Sequence, residues 1–179
     1  MNVHRYSIRM TMLALVLLVF IGGWLLLPDA DTPLAERQAP ASLTEEQVII
    51  QYYAPLEPVR IGEVSVQASV ARTPEERQQG LSGTPYLPEG VVKLFVFDAV
   101  GDLGIWMKDM QYPIDILWLD TAGQVVHIED MVQPNTYVSD TNAEVFNSPV
   151  PAQYVIETKA GFVAENDIRI GSYVDLPSS

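Results

Sequence analysis

Gly101-Asp-Leu-Gly-Ile-Trp106-Met-Lys108-Asp109-Met-Gln-Tyr112-Pro113-Ile-Asp115-Ile-Leu-Trp118-Leu-Asp120-Thr-Ala-Gly123-Gln-Val-Val-His127 is the stretch whose reading decides the fold. Two short apolar runs, 104–107 and 114–119, flank a polar cluster and a proline turn, which is the spelling of strands rather than helices. Asp120-Thr-Ala-Gly123 then supplies a hairpin turn into a third strand over 124–131. So short a connection makes the two strands it joins antiparallel.

Outward from this stretch the same pattern repeats. Val64, Val66, Ala68 and Val70 alternate with Ser65, Gln67 and Ser69, as a half-buried strand requires. Further strands are predicted over 91–97, 153–158 and 168–176, with Gly101, Pro149, Pro151, Gly161 and Gly171 in the connections. Thr73-Pro-Glu-Glu76 places an N-cap, a proline at the first helical position and a capping-box glutamate, with Gly80 as the stop. Ser42, Thr44 and Gln47 offer a second helix start, and Val48, Ile49, Tyr52 and Tyr53 one helical face, although Val-Ile-Ile-Gln-Tyr-Tyr is equally good strand composition. The predicted class is mainly β, an antiparallel sandwich or partly closed barrel with one or two short helices. The polar connection 132–150 is too long for a turn, a length that goes with either function or disorder.

Residues 10–27 form an 18-residue run without a charge, preceded by His4, Arg5 and Arg9 and followed by Asp29 and Asp31. As a helix it reaches about 27 Å, the length of a single transmembrane pass, with the basic flank in the cytoplasm. The expectation is an N-terminal transmembrane helix in the cell's inner membrane, with the remainder extracytoplasmic. The competing reading is a cleaved signal peptide and a secreted or periplasmic product, but cuts after Ala30 or Ala35 put Pro28 or Pro33 at position −3. Residues 1–27 are thus read as cytoplasmic stub and anchor, 28–58 as a proline-rich linker with a short helix, and 59–179 as the β domain.

Charge and composition exclude several functions. The chain of 179 residues carries a formal charge of −13, and from Val59 onward 17 acidic residues face 7 basic ones. Such a surface repels phosphate backbones, so no nucleic-acid partner is expected. Without cysteine there is no disulfide, thiolate nucleophile or thiolate metal site. His127 is the one histidine beyond the N-terminal region and no Gly-x-Ser-x-Gly elbow occurs, which argues against serine catalysis and zinc. Asp140, Asn142 and Glu144 alternate as in the opening of a calcium loop, yet Val145 stands at the sixth position and Pro151 at the twelfth. No metal and no cofactor is expected.

Several motifs occur together in order: Thr73-Pro-Glu-Glu-Arg77-Gln-Gln-Gly80-Leu81, Leu94-Phe-Val-Phe97, Trp106-Met-Lys108, Pro113-Ile-Asp115-Ile, Tyr154-Val-Ile-Glu157 and Ala160-Gly161. With them the span 64–176 resembles the DUF192 family of bacterial and archaeal proteins. The resemblance implies a small mainly-β domain, often exported, with no agreed ligand or reaction. Departures from the family's spelling are Ser82 for a methionine, Val92-Lys93 for Gly-Met, Asp109 for an asparagine and Ser172 for an aspartate.

The candidate ligand-binding residues are Arg77, Trp106, Lys108, Asp109, Asp115 and Glu157. If the Tyr112-Pro113 turn brings Lys108 and Asp115 to one rim, then cations and carboxylates converging beside an aromatic face suit a polar or sugar-like ligand. The competing structural reading is that an Arg–carboxylate pair simply ties the small helix to the sheet. The leading functional expectation is a membrane-anchored binding module for an envelope polysaccharide or a partner protein, without catalysis. The alternative is an envelope hydrolase using Asp115, Glu157 or both, which as a pair must face each other across a cleft about 5–10 Å wide.

Overall fold

The computed structural model describes residues 42–177. The expected transmembrane helix over 10–27 and most of the expected linker lie outside the described residues. Among the described residues no helix is long and apolar enough to cross a membrane.

The compact unit begins at Leu43, earlier than the boundary at 59 drawn from sequence. Thr44 and Gln47 form a reciprocal capping box that starts α1, Glu45–Val48, which continues as a wider helical turn over Ile49–Tyr53. Val48 and Tyr53 are buried in the core, so this segment is part of the domain and not a spacer. Strand β1, Leu56–Ile61, follows immediately. Pro58 hides this strand from the sequence, because a proline cannot donate to a ladder. It is tolerated here where β11 has not yet reached the second edge of β1, since that pairing involves only Arg60 and Ile61.

The remaining elements are β2 (Val64–Ala71), α2 (Pro74–Gln79), β3 (Val91–Gly101), β4 (Gly104–Ile105), β5 (Ile114–Leu119) and β6 (Val125–Val132). Then come β7 (Tyr137–Ser139), β8 (Asn142–Ala143), β9 (Phe146–Asn147), β10 (Ala152–Lys159), α3 (Phe162–Glu165) and β11 (Val174–Asp175). Seven strands form one sheet in the order β11-β1-β2-β3-β10-β5-β6. All neighbours are antiparallel except β2 and β3, whose connection through α2 makes them parallel.

The sheet curls into a half-barrel instead of dividing into the two layers of a sandwich. Its two edges meet at one end through residues 171–174. Gly171 N–H donates to the Val125 carbonyl and Val125 N–H to the Ser172 carbonyl, both at 2.8 Å, while Gly62 N–H reaches the Tyr173 carbonyl at 2.8 Å. The strand expected over 168–176 therefore shrinks to Val174–Asp175, and its earlier part serves as a clasp.

Both faces of the sheet are covered. On β5 all six residues are buried: Ile114, Ile116 and Trp118 join a core beneath α1 and the loops, while Leu117 and Leu119 join a second core with Leu94, Ile156 and Val174. The long connection after β6 is folded, with a 3₁₀ turn at Pro134–Thr136, the small β7–β8 hairpin, and β9 paired to β4.

Candidate functional site

A cavity of about 260 Å³ opens between the C-terminal end of α2, Phe95 and Phe97 of β3 and the segment around β4. Each wall has a local cause. Helix α2 is fixed by the Thr73–Glu76 capping box and stops at Gly80, whose positive φ of 50° suits glycine. Phe95 and Phe97 project from β3, Trp106 follows β4, and Glu157 of β10 lies at the base.

The strand register explains the base. Ser69 of β2 pairs with Lys93 of β3, and Lys93 with Glu157 of β10, so three polar side chains form a row on one sheet face. Lys93 is 8% exposed and Glu157 3%. Lys93 Nζ donates to Ser69 Oγ at 3.2 Å, whereas Glu157 Oε2 is buried without a hydrogen-bond partner. Burial pushes the Glu157 carboxyl up to about 8, and the nearby Lys93 ammonium only partly opposes it. Burial likewise lowers Lys93, against the pull of Glu157 and Glu76. Behind the row, Tyr53 donates to the Tyr86 carbonyl and Tyr112 shares a hydrogen bond with Thr84. Burial raises both phenols above their ordinary value, which keeps them neutral.

Arg77, Trp106 and Glu157 come together here. The guanidinium of Arg77 lies 5.0 Å from the centre of the Phe97 ring, donates to the carbonyls of Arg72 and Val96, and stands 3.8 Å from Asp98. It therefore ties α2 to β3 while forming part of the cavity wall. Lys108 sits beside Trp106, its Nζ 5.3 Å from that ring and 5.9 Å from Tyr137, and it pairs with Asp140 at 2.9 Å. The Tyr137 hydroxyl and Lys108 hold the Asp140 carboxyl below its usual range. Asp109 lies in an adjoining shallow depression with Lys108 and Ser82, on backbone with φ of 54°.

Asp115 is elsewhere. It pairs in register with Thr158, while Glu157 pairs with Ile116, so the two carboxyls point to opposite faces of the sheet. Asp115 is 0% exposed, and its oxygens accept N–H groups from Met131 at 2.9 Å, Gly161 at 3.0 Å and Val163 at 2.9 Å. It anchors the start of α3. The expected meeting of Lys108 and Asp115 at one rim does not occur, and the facing pair that a two-carboxylate hydrolase needs is ruled out by the register.

Lys93, Ser69, Tyr112 and Tyr137 were not expected at the site, and Asp140 was weighed only as the opening of a calcium loop. One signal was available for Lys93: a lone charge inside Val91-Val92-Lys93-Leu94-Phe95, where the family's spelling has methionine. His127 Nε2 lies 3.0 Å from Glu129 with its ring against Trp118. Among the described residues no group of three His, Cys, Asp or Glu side chains is placed to hold a metal ion.

The DUF192 family model, described as Uncharacterized ACR, matches residues 57–176. A crystal structure from Sinorhizobium meliloti 1021, described as a candidate transcription regulator, is similar at 26% identity and a TM-score of 0.62, over 69% of this chain and 94% of that one. A second, of a protein of unknown function from Novosphingobium aromaticivorans DSM 12444, shares the fold at 20% identity and a TM-score of 0.60, over 83% of this chain and 100% of that one. Among curated proteins none matches.

Proposed function

We propose that this chain, which belongs to the DUF192 family, is a recognition module for an envelope polysaccharide, held at the outer face of the membrane by residues 10–27. One observation carries the reading: a buried carboxyl, Glu157, lacks a partner for Oε2 at the base of a cavity walled by aromatic rings. A polar group buried without a partner is costly, and a ligand hydroxyl supplies the missing bond. The apolar faces of Phe97 and Trp106 suit the C–H face of a sugar ring.

The location outside the cytosol is supported by the uncharged 18-residue run and its basic flank. The regulator description of one structural neighbour is not carried over, because a net charge of −13 opposes nucleic-acid binding. The hydrolase reading has no facing carboxylate pair to use.

The test is thermal melting of the full-length protein, in a detergent without a sugar headgroup, against size-fractionated envelope polysaccharide. A saturable rise in Tm is expected, and Trp106→Ala weakens it about tenfold, the scale of one lost aromatic contact. No rise with any fraction refutes the reading.

A further inference from the structure

We infer that the cavity takes a single uncharged, hydroxyl-bearing ring at the free end of its ligand, with a ring hydroxyl bonded to the Glu157 carboxyl. This rests on the reading of the cavity as a recognition site and specifies what enters it.

Size comes first. At about 260 Å³ the cavity falls below the range that holds drug-sized ligands, so it admits one ring and not a run of several. Its base is the sheet itself, where Glu157 lies between its ladder partners Lys93 and Ile116. A ring that reaches Glu157 meets a closed floor. The interior of a polymer has to enter and leave, whereas a chain end needs only to enter.

Charge comes second. An ammonium group of a ligand would stand beside the protein's own cations, Arg77 at Phe97 and Lys108 at Trp106, and like charges repel. An anionic ligand fares no better at the rim, since Arg77 has Asp98 at 3.8 Å and Lys108 has Asp140 at 2.9 Å. A hydroxyl needs no counter-ion. It both donates and accepts, so it satisfies the Glu157 carboxyl in either protonation state.

The experiment uses the full-length protein in the same detergent. Melting is followed with the methyl pyranosides of glucose, galactose, mannose and N-acetylglucosamine, with glucosamine and glucuronate, and with size-fractionated envelope polysaccharide. A saturable rise is expected with at least one neutral glycoside, with at least tenfold weaker binding of the amine and the uronate. Polysaccharide is expected to saturate in proportion to the number of chains, independent of their length. Glu157→Gln, which still donates and accepts, retains binding within about threefold, while Glu157→Leu loses at least tenfold, the scale of one buried hydrogen bond.

Charged rings that bind as tightly as neutral ones, retention by Glu157→Leu, or saturation in proportion to polymer length each overturn the inference. If polysaccharide still binds through Trp106 in those cases, the recognition reading survives. If neither glycosides nor polysaccharide shift the melt, both fall.

Discussion

The carboxyl of Glu157 retains its proton in the folded chain far above the pH at which the unfolded chain releases it, about 8 against 4.5. The sign follows from linkage. A folded-state value above the unfolded one contributes stability that is complete below about 4.5, declines as pH rises, and is gone above about 8. Glu157→Gln keeps the shape and removes the titration. Urea unfolding is expected to show equal stability for the two proteins near pH 4 and an advantage of about 2–5 kcal/mol for the variant at pH 9. Parallel profiles across that range count against the buried, unpartnered carboxyl. Unusual residues are visible in the sequence at this scale, but their roles are not. Glu157 and Asp115 each sit as an acid among apolar neighbours in sequence, yet one is left without a partner and the other is enclosed by backbone N–H groups. Their spellings are alike, and only the partners differ. Asp109 makes a related point, since its φ of 54° suits aspartate or asparagine alike. The family's asparagine at that position therefore has a backbone reason that the substitution preserves.

Elements whose cause is local were legible. The Thr73–Glu76 capping box, the proline at the start of α2 and the stop at Gly80 all appear as read, because each depends on residues within one turn. The hairpin joining β5 to β6 is likewise closed by Asp120, whose Oδ1 accepts from Ala122 and Gln124 at 2.9 Å. What its glycine does beyond the turn was not legible. Gly123 has φ of 81°, and a Cβ built there would lie 2.6 Å from the Val174 carbonyl oxygen, on the clasp that Gly123 itself joins through its carbonyl, which accepts the Val174 N–H at 2.9 Å. Gly123→Ala is therefore expected to lower Tm by roughly 5–15 °C, from left-handed strain plus a clash with backbone that cannot give way. A shift under about 2 °C in a melting scan shows that the clasp yields easily. Among the elements missed, β1 with Pro58 inside it and the short α3 owe their existence to distant partners: β2 for the first and Asp115 for the second.

On the scale of the whole molecule, two questions separate. We propose that residues 10–27, which carry no charge, hold the chain at a membrane as a retained helix. Full-length protein is expected to stay with membranes through carbonate extraction, and release of a chain that begins after Leu27 overturns that expectation. How the cavity is assembled depends instead on the curl of the sheet. β3 and β10 supply its base, α2 one wall, and the segment after β4 another, while the excursion from β7 to β9 brings Tyr137 and Asp140 up to Trp106 and Lys108.

By itself the sequence determined the β class, the capped helix, the β5–β6 hairpin, the family and the acidic surface, since periodicity, caps, turns and charge are written in neighbouring residues. The tertiary structure alone decided that the sheet is one curled half-barrel with a parallel pair, that Glu157 and Asp115 face opposite ways, and that Lys93 lies beside Glu157. Those facts depend on strand register. Register joins residues far apart in the chain, and a shift of one residue turns every side chain of a strand to the other face.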